Sequence, residues 1–507
     1  MPSNDPVIET ASGSVRGTSE GSLAVFKGIP FAEAPFGEHR FQAPVPRSRW
    51  EGVREATEFG PPPPQTARLL GGAPRPPGLP EDPAPDCLTV NIWTPDSAAS
   101  LPVLVWIYGG GYLAGSARQP VYDGATLAAD GVIVVTLNYR LGVDGFAALS
   151  GAPANRGLLD QVAALSWVQE NISAFGGDPS NVTIFGESAG GGSIAALLAM
   201  PSARGLYRRA ILQSVPGTYF APSLANDVTM RIAAELGIDA SAAGFSTRTP
   251  EECGEGAAQL HAKMTDLVDT WGRVARTVTP FSPVVDGEVL PVSPWTALRQ
   301  GAARDVELII GWMHDEYRVF HVMDGTLERD DPEESRFMVD LLGPGSGAHD
   351  AYAAAYPQKS EGELIEVAFS DWLFRMAGRR LAENQVEGGG RAHVYEVCIA
   401  APVLGGAFGA CHGFDVPLTF GNLSGDPMVD RYMGEGAPSD AIRRVSREIR
   451  DAWLSFANSG DPGWPAFDVD RAPARVFDRN SETVAPIEPV SAALWRDHHF
   501  DSIDLLA

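Results

Sequence analysis

Residues 182–191 read VTIFGESAGG, and this stretch indicates how the chain is built. Four strand-forming residues lead into a serine flanked by small residues, and the chain then becomes helical, with Ile194, Leu197 and Leu198 at helical spacing. A G-x-S-x-G pattern between a strand and a helix is typical of a nucleophile elbow, whose strained backbone presents the serine hydroxyl above the carboxyl end of a sheet. We therefore predict that Ser188 is a catalytic nucleophile rather than part of a tight structural turn.

Short, continuously apolar segments recur along the chain and alternate with helical patterns. The segments are PVLVWIYGGG (102–111), VIVVTLNYR (132–140), VTIFG (182–186), RAILQS (209–214), VELIIG (306–311) and AHVYEV (392–397). Strands that are apolar on both faces are typical of parallel sheets covered by helices. Between two of them, GLLDQVAALSWVQENI places Leu158, Val162, Leu165 and Val168 at helical spacing. This alternation predicts an α/β fold with a mostly parallel central sheet flanked by helices.

The remaining segments indicate one large catalytic domain, residues 1–507, with three excursions from the sheet. Residues 61–85 are rich in Pro and Gly, which favours a long surface loop. Residues 216–305 and 317–390 contain helical patterns. We expect these excursions to lie over one end of the sheet and to cover the active site.

The net charge and the cysteine content indicate which classes of binding partner and which cellular compartment to expect. The net charge of −26 over 507 residues disfavours nucleic acid and anionic membrane surfaces as partners. The longest apolar runs are far too short to span a bilayer, and the N-terminus does not read as a signal peptide. The four cysteines show no paired metal-ligand spacing and are too sparse for a disulfide framework. We expect a cytoplasmic protein without a metal site.

A serine nucleophile needs a base, usually a histidine that a carboxylate orients. In hydrolases of this architecture the acid and then the histidine follow the serine along the chain. His412, in the glycine-flanked segment GACHGFD that follows the strand AHVYEV, is the candidate base. In the segment LIIGWMHDEY, Asp315 and Glu316 lie just past a predicted buried strand. Spacing alone does not decide which of the two is the catalytic acid.

An oxyanion formed at the serine needs hydrogen-bond donors. The segment WIYGGGY (106–112) has three glycines directly after a buried strand, where backbone N–H groups can approach a ligand closely. A further N–H comes from Ala189, the residue after the predicted nucleophile.

These motifs, with others, resemble the type-B carboxylesterases, the α/β-hydrolase family that includes cholinesterases and bacterial p-nitrobenzyl esterases. The matching segments are FKGIPFAEAPFGEHRF, DCLTVNIWTP, WIYGGGY, NYRLGVDGF, NRGLLDQVAALSWVQENISAFGGDPSNVTIFGESAGG, FSPVVDGEVLP, HDE, CHGFDVPLTFG and FANSGDPGWP, and they cover almost the whole chain. The resemblance implies an α/β-hydrolase fold and hydrolysis of carboxylic esters, with no metal or organic cofactor.

The resemblance also implies roles for individual positions, and it favours Glu316 over its neighbour as the acid. The implied residues are the catalytic Ser188, Glu316 and His412, the oxyanion-hole residues Gly110, Gly111 and Ala189, and the surrounding polar residues Glu187 and Ser214. For Ser214, a buried serine in a turn after a strand is an equally good interpretation. Arg140 and Asp160 match a structural ion pair of the family.

The chain departs from the family pattern at a few positions. Pro85 stands where relatives carry a glutamate that pairs with an arginine at the position of Arg40, so we expect Arg40 to have another partner or to face water. Asp144 stands where relatives commonly carry an apolar residue. No cysteine precedes Cys87, so residues 61–85 lack the disulfide of secreted relatives, and we hypothesise that they form a mobile lip of the active-site entrance.

The sequence therefore predicts a serine carboxylesterase that acts on a small-molecule ester through an acyl-enzyme on Ser188. The same residues could cleave a carbamate or an activated amide. A non-catalytic adhesion protein of this fold is a remote alternative, because such proteins lose a member of the triad.

Overall fold

A computed structural model of the chain describes residues 5–65, 86–434 and 436–506. The described residues fall into two compact units. The first lies within Met1–Arg209, Thr218–Ser293 and Ser502–Ala507, and the second comprises Ala210–Gly217 and Pro294–Asp501. Most of the predicted Pro-rich loop at 61–85, including Pro85, lies outside the described residues.

The first unit contains the N-terminal strands and the segment around Ser188. Its strands are β1 (Val7–Thr10), β2 (Gly13–Arg16), β3 (Thr18–Glu20), β4 (Leu23–Pro30), β5 (Val53–Glu55), β6 (Thr89–Thr94), β7 (Leu101–Ile107), β8 (Ile133–Leu137) and β9 (Gly177–Glu187). Its α-helices are α1 (Ala125–Ala129), α2 (Gly142–Phe146), α3 (Arg156–Asn171), α4 (Ala189–Ala199), α5 (Pro222–Leu236), α6 (Ala242–Phe245), α7 (Pro250–His261) and α8 (Val268–Trp271). Short 3₁₀ turns lie at Gly37–His39, Pro120–Tyr122, Ile172–Phe175, Pro201–Ala203, Met264–Leu267 and Gly272–Arg276.

The main sheet of this unit has the strand order β9-β7-β8-β6-β4-β3, and β1, β2 and β5 form a small separate sheet. Strand β7 is parallel to both β8 and β9, whereas β6, β4 and β3 continue the sheet in antiparallel pairs. From Pro102 to Ile107 every residue of β7 is buried, as expected for a strand covered on both faces. The sheet thus places the carboxyl ends of three parallel strands side by side, and Ser188 directly follows one of them.

The second unit contains the remaining strands and helices. Its strands are β10 (Arg209–Gln213, which belongs to this unit from Ala210 onward), β11 (Glu307–Met313), β12 (Arg391–Val397), β13 (Ala474–Phe477) and β14 (Glu482–Val484). Its α-helices are α9 (Pro294–Arg299), α10 (Arg318–Asp324), α11 (Pro332–Leu342), α12 (Ala348–Ala355), α13 (Glu361–Ser370), α14 (Met376–Glu387), α15 (Asp415–Phe420), α16 (Pro427–Met433), α17 (Asp440–Ser459) and α18 (Pro489–Leu494). A π-helical turn, Asp371–Arg375, joins α13 to α14, and a 3₁₀ turn lies at Val403–Gly406.

The strands of the second unit follow the order β14-β13-β12-β11-β10. Strand β12 is parallel to both β11 and β13, and β14 adds an antiparallel edge. Every residue of β11 from Leu308 to Met313 is buried. The residues that follow Met313 and Val397 therefore emerge next to each other at the carboxyl ends of paired parallel strands.

The six apolar segments of the sequence all contain strands, β7 to β12, and the helix predicted between two of them is α3. The parallel pairing predicted for them is present, but each unit also carries antiparallel strands at its edge, so the sheet is mixed. Residues 216–305 contain α5 to α9, and residues 317–390 contain α10 to α14. In the described part of the chain, no helix has the length and apolar composition needed to cross a membrane.

Candidate active site

Ser188 lies at a sharp turn between β9, which ends at Glu187, and α4, which begins at Ala189. Its backbone angles are φ 57° and ψ −126°, a region that costs a non-glycine residue about 1–3 kcal/mol. The turn is held in place because the N–H of Gly192 donates to the Ser188 carbonyl at 2.8 Å and because all of α4 is buried. The strained elbow that the sequence predicts is therefore present.

Three glycines let the elbow approach β7 and the loop that follows it. A Cβ added at Gly190 would collide with the carbonyl oxygen of Ile107, and one added at Gly186 would lie 2.6 Å from the same oxygen. A Cβ at Gly109 would lie 2.9 Å from the Cβ of Ser188. Only glycine fits at these contacts, so the glycine-rich loop after β7 directly adjoins the elbow.

The loop after β7 presents unpaired backbone donors. Gly110 and Gly111 have φ of 111° and 63°, which side chains rarely allow. The Gly110 carbonyl accepts two N–H groups of the turn that follows, and the Thr279 hydroxyl donates to the Gly111 carbonyl at 2.7 Å. Among the described residues, the N–H groups of Gly110, Gly111 and Ala189 have no acceptor. Unpaired backbone donors of this kind are what the stabilisation of an oxyanion requires.

The two polar residues implied around the site differ in their surroundings. Glu187 is buried at the end of β9, and its Oε2 lies 2.8 Å from where a Cβ of Gly109 would be. Ser214 belongs to the second unit, where its N–H donates to the Gly311 carbonyl at 2.8 Å. Its φ is 51°, and its buried hydroxyl has no hydrogen-bond partner in the described part of the chain. These features fit the alternative interpretation of Ser214, a buried serine in a turn after a strand.

In the second unit, His412 and Glu316 form a hydrogen-bonded pair. The imidazole Nδ1 lies 2.7 Å from Oε2 of Glu316, and the other carboxylate oxygen accepts the N–H of Met313 at 2.9 Å. Glu316 is fully buried, and the His412 side chain is 11% exposed. A buried carboxylate at this distance fixes the imidazole with its proton on Nδ1 and stabilises the imidazolium when Nε2 gains a proton.

The neighbouring Asp315, which spacing left open as the acid, has a different partner. Its Oδ2 accepts the N–H of Ala410 at 2.9 Å, and its own N–H donates to the Ala410 carbonyl at 2.9 Å. Asp315 therefore anchors the loop that carries His412, whereas Glu316 contacts the imidazole itself.

Further contacts hold the imidazole of His412. The ring of Phe374 lies 4.4 Å from it between centroids, and the Tyr432 hydroxyl donates to the His412 carbonyl at 3.2 Å. Phe374 lies in the π-helical turn between α13 and α14. Neither residue belongs to a motif identified in the sequence, because both contacts with His412 depend on the tertiary fold rather than on local spacing.

Asp415 is a buried acid near this pair that the sequence analysis missed. The amide of Gln213 donates to its Oδ2 at 2.7 Å, and its Oδ1 has no partner among the described residues. Burial raises the pKa of the Asp415 carboxyl to about 6, and the charge of Glu316 adds to the increase, although the Gln213 hydrogen bond opposes it. The segment CHGFD contained this signal, an acid three residues after the candidate base.

Two arginine–aspartate ion pairs with little solvent exposure lie within the first unit. Arg140 and Asp160 form the expected ion pair with two parallel contacts of 2.8 and 2.7 Å, and both side chains are buried. Arg40, whose family partner is replaced by Pro85 in the sequence, instead pairs with Asp144 at 2.8 Å. The expectation that Arg40 has found another partner is confirmed, and it accounts for the unusual acid in GVDGF.

The strands, the strained elbow after β9 and the surrounding helices define an α/β hydrolase. The chain belongs to the carboxylesterase family, whose model matches residues 4–484, and it is a carboxylic ester hydrolase. It is 36% identical to the para-nitrobenzyl esterase of Bacillus subtilis, covering 96% of this chain and 97% of that one. It is also 36% identical to the phenmedipham hydrolase of Pseudarthrobacter oxydans, covering 92% and 93% of the two chains.

Solved structures show the same likeness. The crystal structure of a Geobacillus stearothermophilus carboxylesterase superposes with a TM-score of 0.84 at 36% identity, covering 96% of this chain and 99% of that one. A para-nitrobenzyl esterase structure superposes with a TM-score of 0.83 at 35% identity, covering 97% and 99%. The predicted family and fold are confirmed.

Proposed function

We propose that the chain hydrolyses esters through a covalent acyl-enzyme, with Ser188 as nucleophile, His412 as base and Glu316 as the acid that orients it. The Ser188 Oγ attacks the substrate carbonyl while His412 Nε2 takes its proton. His412 then returns that proton to the departing alcohol. Water repeats the sequence, attacking the acyl-enzyme and releasing the carboxylic acid.

The negative charge of each tetrahedral intermediate falls on the former carbonyl oxygen. In this proposal the oxyanion accepts hydrogen bonds from the N–H groups of Gly110, Gly111 and Ala189, whose lack of an acceptor among the described residues leaves them available. Loss of one such donor in comparable enzymes costs about 3–4 kcal/mol of barrier height. The chemistry requires no metal or organic cofactor.

The observation that carries the proposal is the strained conformation of Ser188 beside these donors. The test is the variant Ser188→Ala, assayed on a p-nitrophenyl ester, together with labelling by a fluorophosphonate. We expect turnover in Ser188→Ala to fall by about 10⁵-fold or more, and we expect the label to appear on Ser188 in the parent protein but to be absent from this variant. Ser193→Ala changes a buried serine of α4, the helix that begins directly after Ser188; it is the matched control and should keep both turnover and labelling. Retained turnover in the Ser188 variant would refute the assignment.

Carbamates and activated amides present the same carbonyl to the same residues. We expect esters to be the preferred substrates. In a comparison of an ester, a carbamate and an anilide with matched acyl and leaving-group skeletons, kcat/KM should be highest for the ester. A carbamate or anilide processed faster than the matched ester would overturn it.

We also propose that the protein works in the cytoplasm. The supporting observation is that its four cysteines, Cys87, Cys253, Cys398 and Cys411, are all free thiols. Fractionation of the source cells should recover the esterase activity with cytosolic markers, and activity in the culture medium would contradict the location.

A further inference from the structure

A second cluster of titratable side chains lies at the carboxyl ends of β11 and β12. It includes neither His412 nor Glu316. In the register of these parallel strands Met313 lies opposite Val397, so His314 and Cys398 leave the two strands side by side. Glu396 is the last residue but one of β12, and Cys398 directly follows the strand. The strand pairing thus brings an imidazole, a thiol and a carboxylate together.

The donor atoms of this cluster are close to one another. One donor atom each of His314, Glu396 and Cys398 lies within 4.8 Å of the other two. The His314 Nδ1 lies 3.0 Å from Oε1 of Glu396 and 3.2 Å from Oε1 of Glu488, which immediately precedes α18. The site therefore offers one nitrogen, one sulfur and two carboxylate groups.

The spacing suits a small divalent transition-metal ion. Zn²⁺ holds nitrogen, oxygen and sulfur ligands at about 2.0–2.3 Å, which in a tetrahedron places the ligand atoms roughly 3.3–3.8 Å apart. The His314 nitrogen lies 3.0 and 3.2 Å from the two carboxylate oxygens, slightly closer than that range, and the donor atoms of His314, Glu396 and Cys398 lie within 4.8 Å of one another, so small side-chain movements would form the tetrahedron. A thiolate and an imidazole favour ions of the zinc type over Mg²⁺ and Ca²⁺, which prefer oxygen ligands alone.

The two carboxylates of the cluster differ in their charge partners. Arg375 pairs with Asp371 at 2.7 Å and with Glu488 at 3.2 Å. In the described part of the chain, Glu396 has no lysine or arginine partner and contacts His314 instead. Glu396 is 4% exposed, so a bound cation would compensate a carboxylate that is otherwise removed from water.

The site is also open to ions from solution. The His314 side chain is 48% exposed, and Cys398 is half-buried, whereas the other three cysteines are buried.

We propose that His314, Glu396 and Cys398 bind one divalent ion of the Zn²⁺ class, with Glu488 as the fourth ligand. The ligands come from separate segments of the chain, which is why the spacing of cysteines in the sequence did not indicate a metal site.

The test uses Co²⁺ as a spectroscopic probe of the full-length protein after treatment with a chelator. Coordination through Cys398 should produce a thiolate-to-cobalt charge-transfer band that saturates at one ion per chain and disappears when Zn²⁺ is added. Cys398→Ser should abolish the band. Cys253→Ser, which removes a buried thiol outside the cluster, should retain it.

A second measurement needs no variant. Alkylation followed by peptide mass spectrometry should find Cys398 to be the fastest-reacting thiol, and Zn²⁺ should slow its modification at least tenfold while Mg²⁺ does not. Absence of both the cobalt band and the protection would show a hydrogen-bonded cluster only and would overturn the proposal. So would a cobalt band of unchanged intensity in Cys398→Ser. Neither readout depends on esterase activity, so the outcome is independent of the role of Ser188.

Discussion

Arg40 Nε donates to Asp144 Oδ1 at 2.8 Å, and both side chains are nearly buried, with exposures of 9% and 11%. The remaining guanidinium nitrogens donate to the Arg248 carbonyl at 2.6 Å and contact the Cys253 sulfur at 3.6 Å. Arg40 thus ties the N-terminal segment to α2 and to the segment around α7. Asp144 in α2 thus supplies the negative charge that the resemblance assigns to a glutamate at the position of Pro85 in relatives.

We expect Asp144→Asn to destabilise the protein by about 3 kcal/mol, because it leaves the buried Arg40 charge without a counter-charge. The measurement is the urea midpoint of unfolding. Glu55→Gln is the matched control, since Glu55 pairs with Arg16 at 3.2 Å but is 62% exposed, and its loss should change stability by less than about 0.5 kcal/mol. Equal shifts for the two variants would show that the Arg40 pair contributes no more than a surface pair.

The carboxylates of Asp315 and Glu316 are adjacent in sequence but engage different partners, which makes them a natural pair of variants. Glu316→Gln should reduce kcat by about 10⁴-fold, because an amide no longer holds the His412 tautomer or stabilises its cation. Asp315→Asn should keep kcat within a few-fold, since its amide oxygen can still accept the Ala410 N–H. The measurement is steady-state kinetics on a p-nitrophenyl ester, and the reverse ranking would make Asp315 the catalytic acid.

The contact between Gly109 and the elbow predicts a purely geometric effect. In Gly109→Ala the new Cβ would lie 2.7 Å from the Glu187 carbonyl oxygen and 2.9 Å from the Ser188 Cβ, so the elbow must shift. A displacement of about 1 Å near a reacting group can lower kcat by about 10²-fold, and we expect a loss of that order in this variant. Gly345→Ala is the control, because no atom lies within 4 Å of its added Cβ. Full activity in the Gly109 variant would mean that the loop and the elbow are not coupled.

Sequence patterns were informative where one short segment determined both structure and chemistry. Continuous apolar runs located β7 to β12, and the flanking glycines identified the elbow at Ser188, because strand, turn and helix are all local there. Spacing could not separate Asp315 from Glu316, because the choice depends on which side chain reaches a histidine almost a hundred residues later. The partnership of Arg40 with Asp144 and the cluster around His314 were equally hidden, since each depends on long-range contacts.

The buried acid Asp415 gives the stability of the protein a pH dependence of its own. Burial raises the pKa of its carboxyl to about 6, whereas an aspartate in an unfolded chain has a pKa of about 3.9. Between these two pH values the folded protein binds more protons than the unfolded chain at this position. By linkage, the free energy of unfolding therefore falls as the pH rises from about 4 to about 6, and the loss persists above that range.

We expect Asp415→Asn to remove this loss, because an amide does not ionise and its oxygen can still accept the Gln213 hydrogen bond. The variant should gain stability relative to the parent protein at pH 7.5 and show little or no gain at pH 4.5, as measured by urea midpoints at several pH values. Asp266→Asn, which changes an exposed aspartate, should follow the parent curve throughout. If the difference between Asp415→Asn and the parent protein is the same at both pH values, Asp415 is ionised throughout this range and the buried site accommodates its charge.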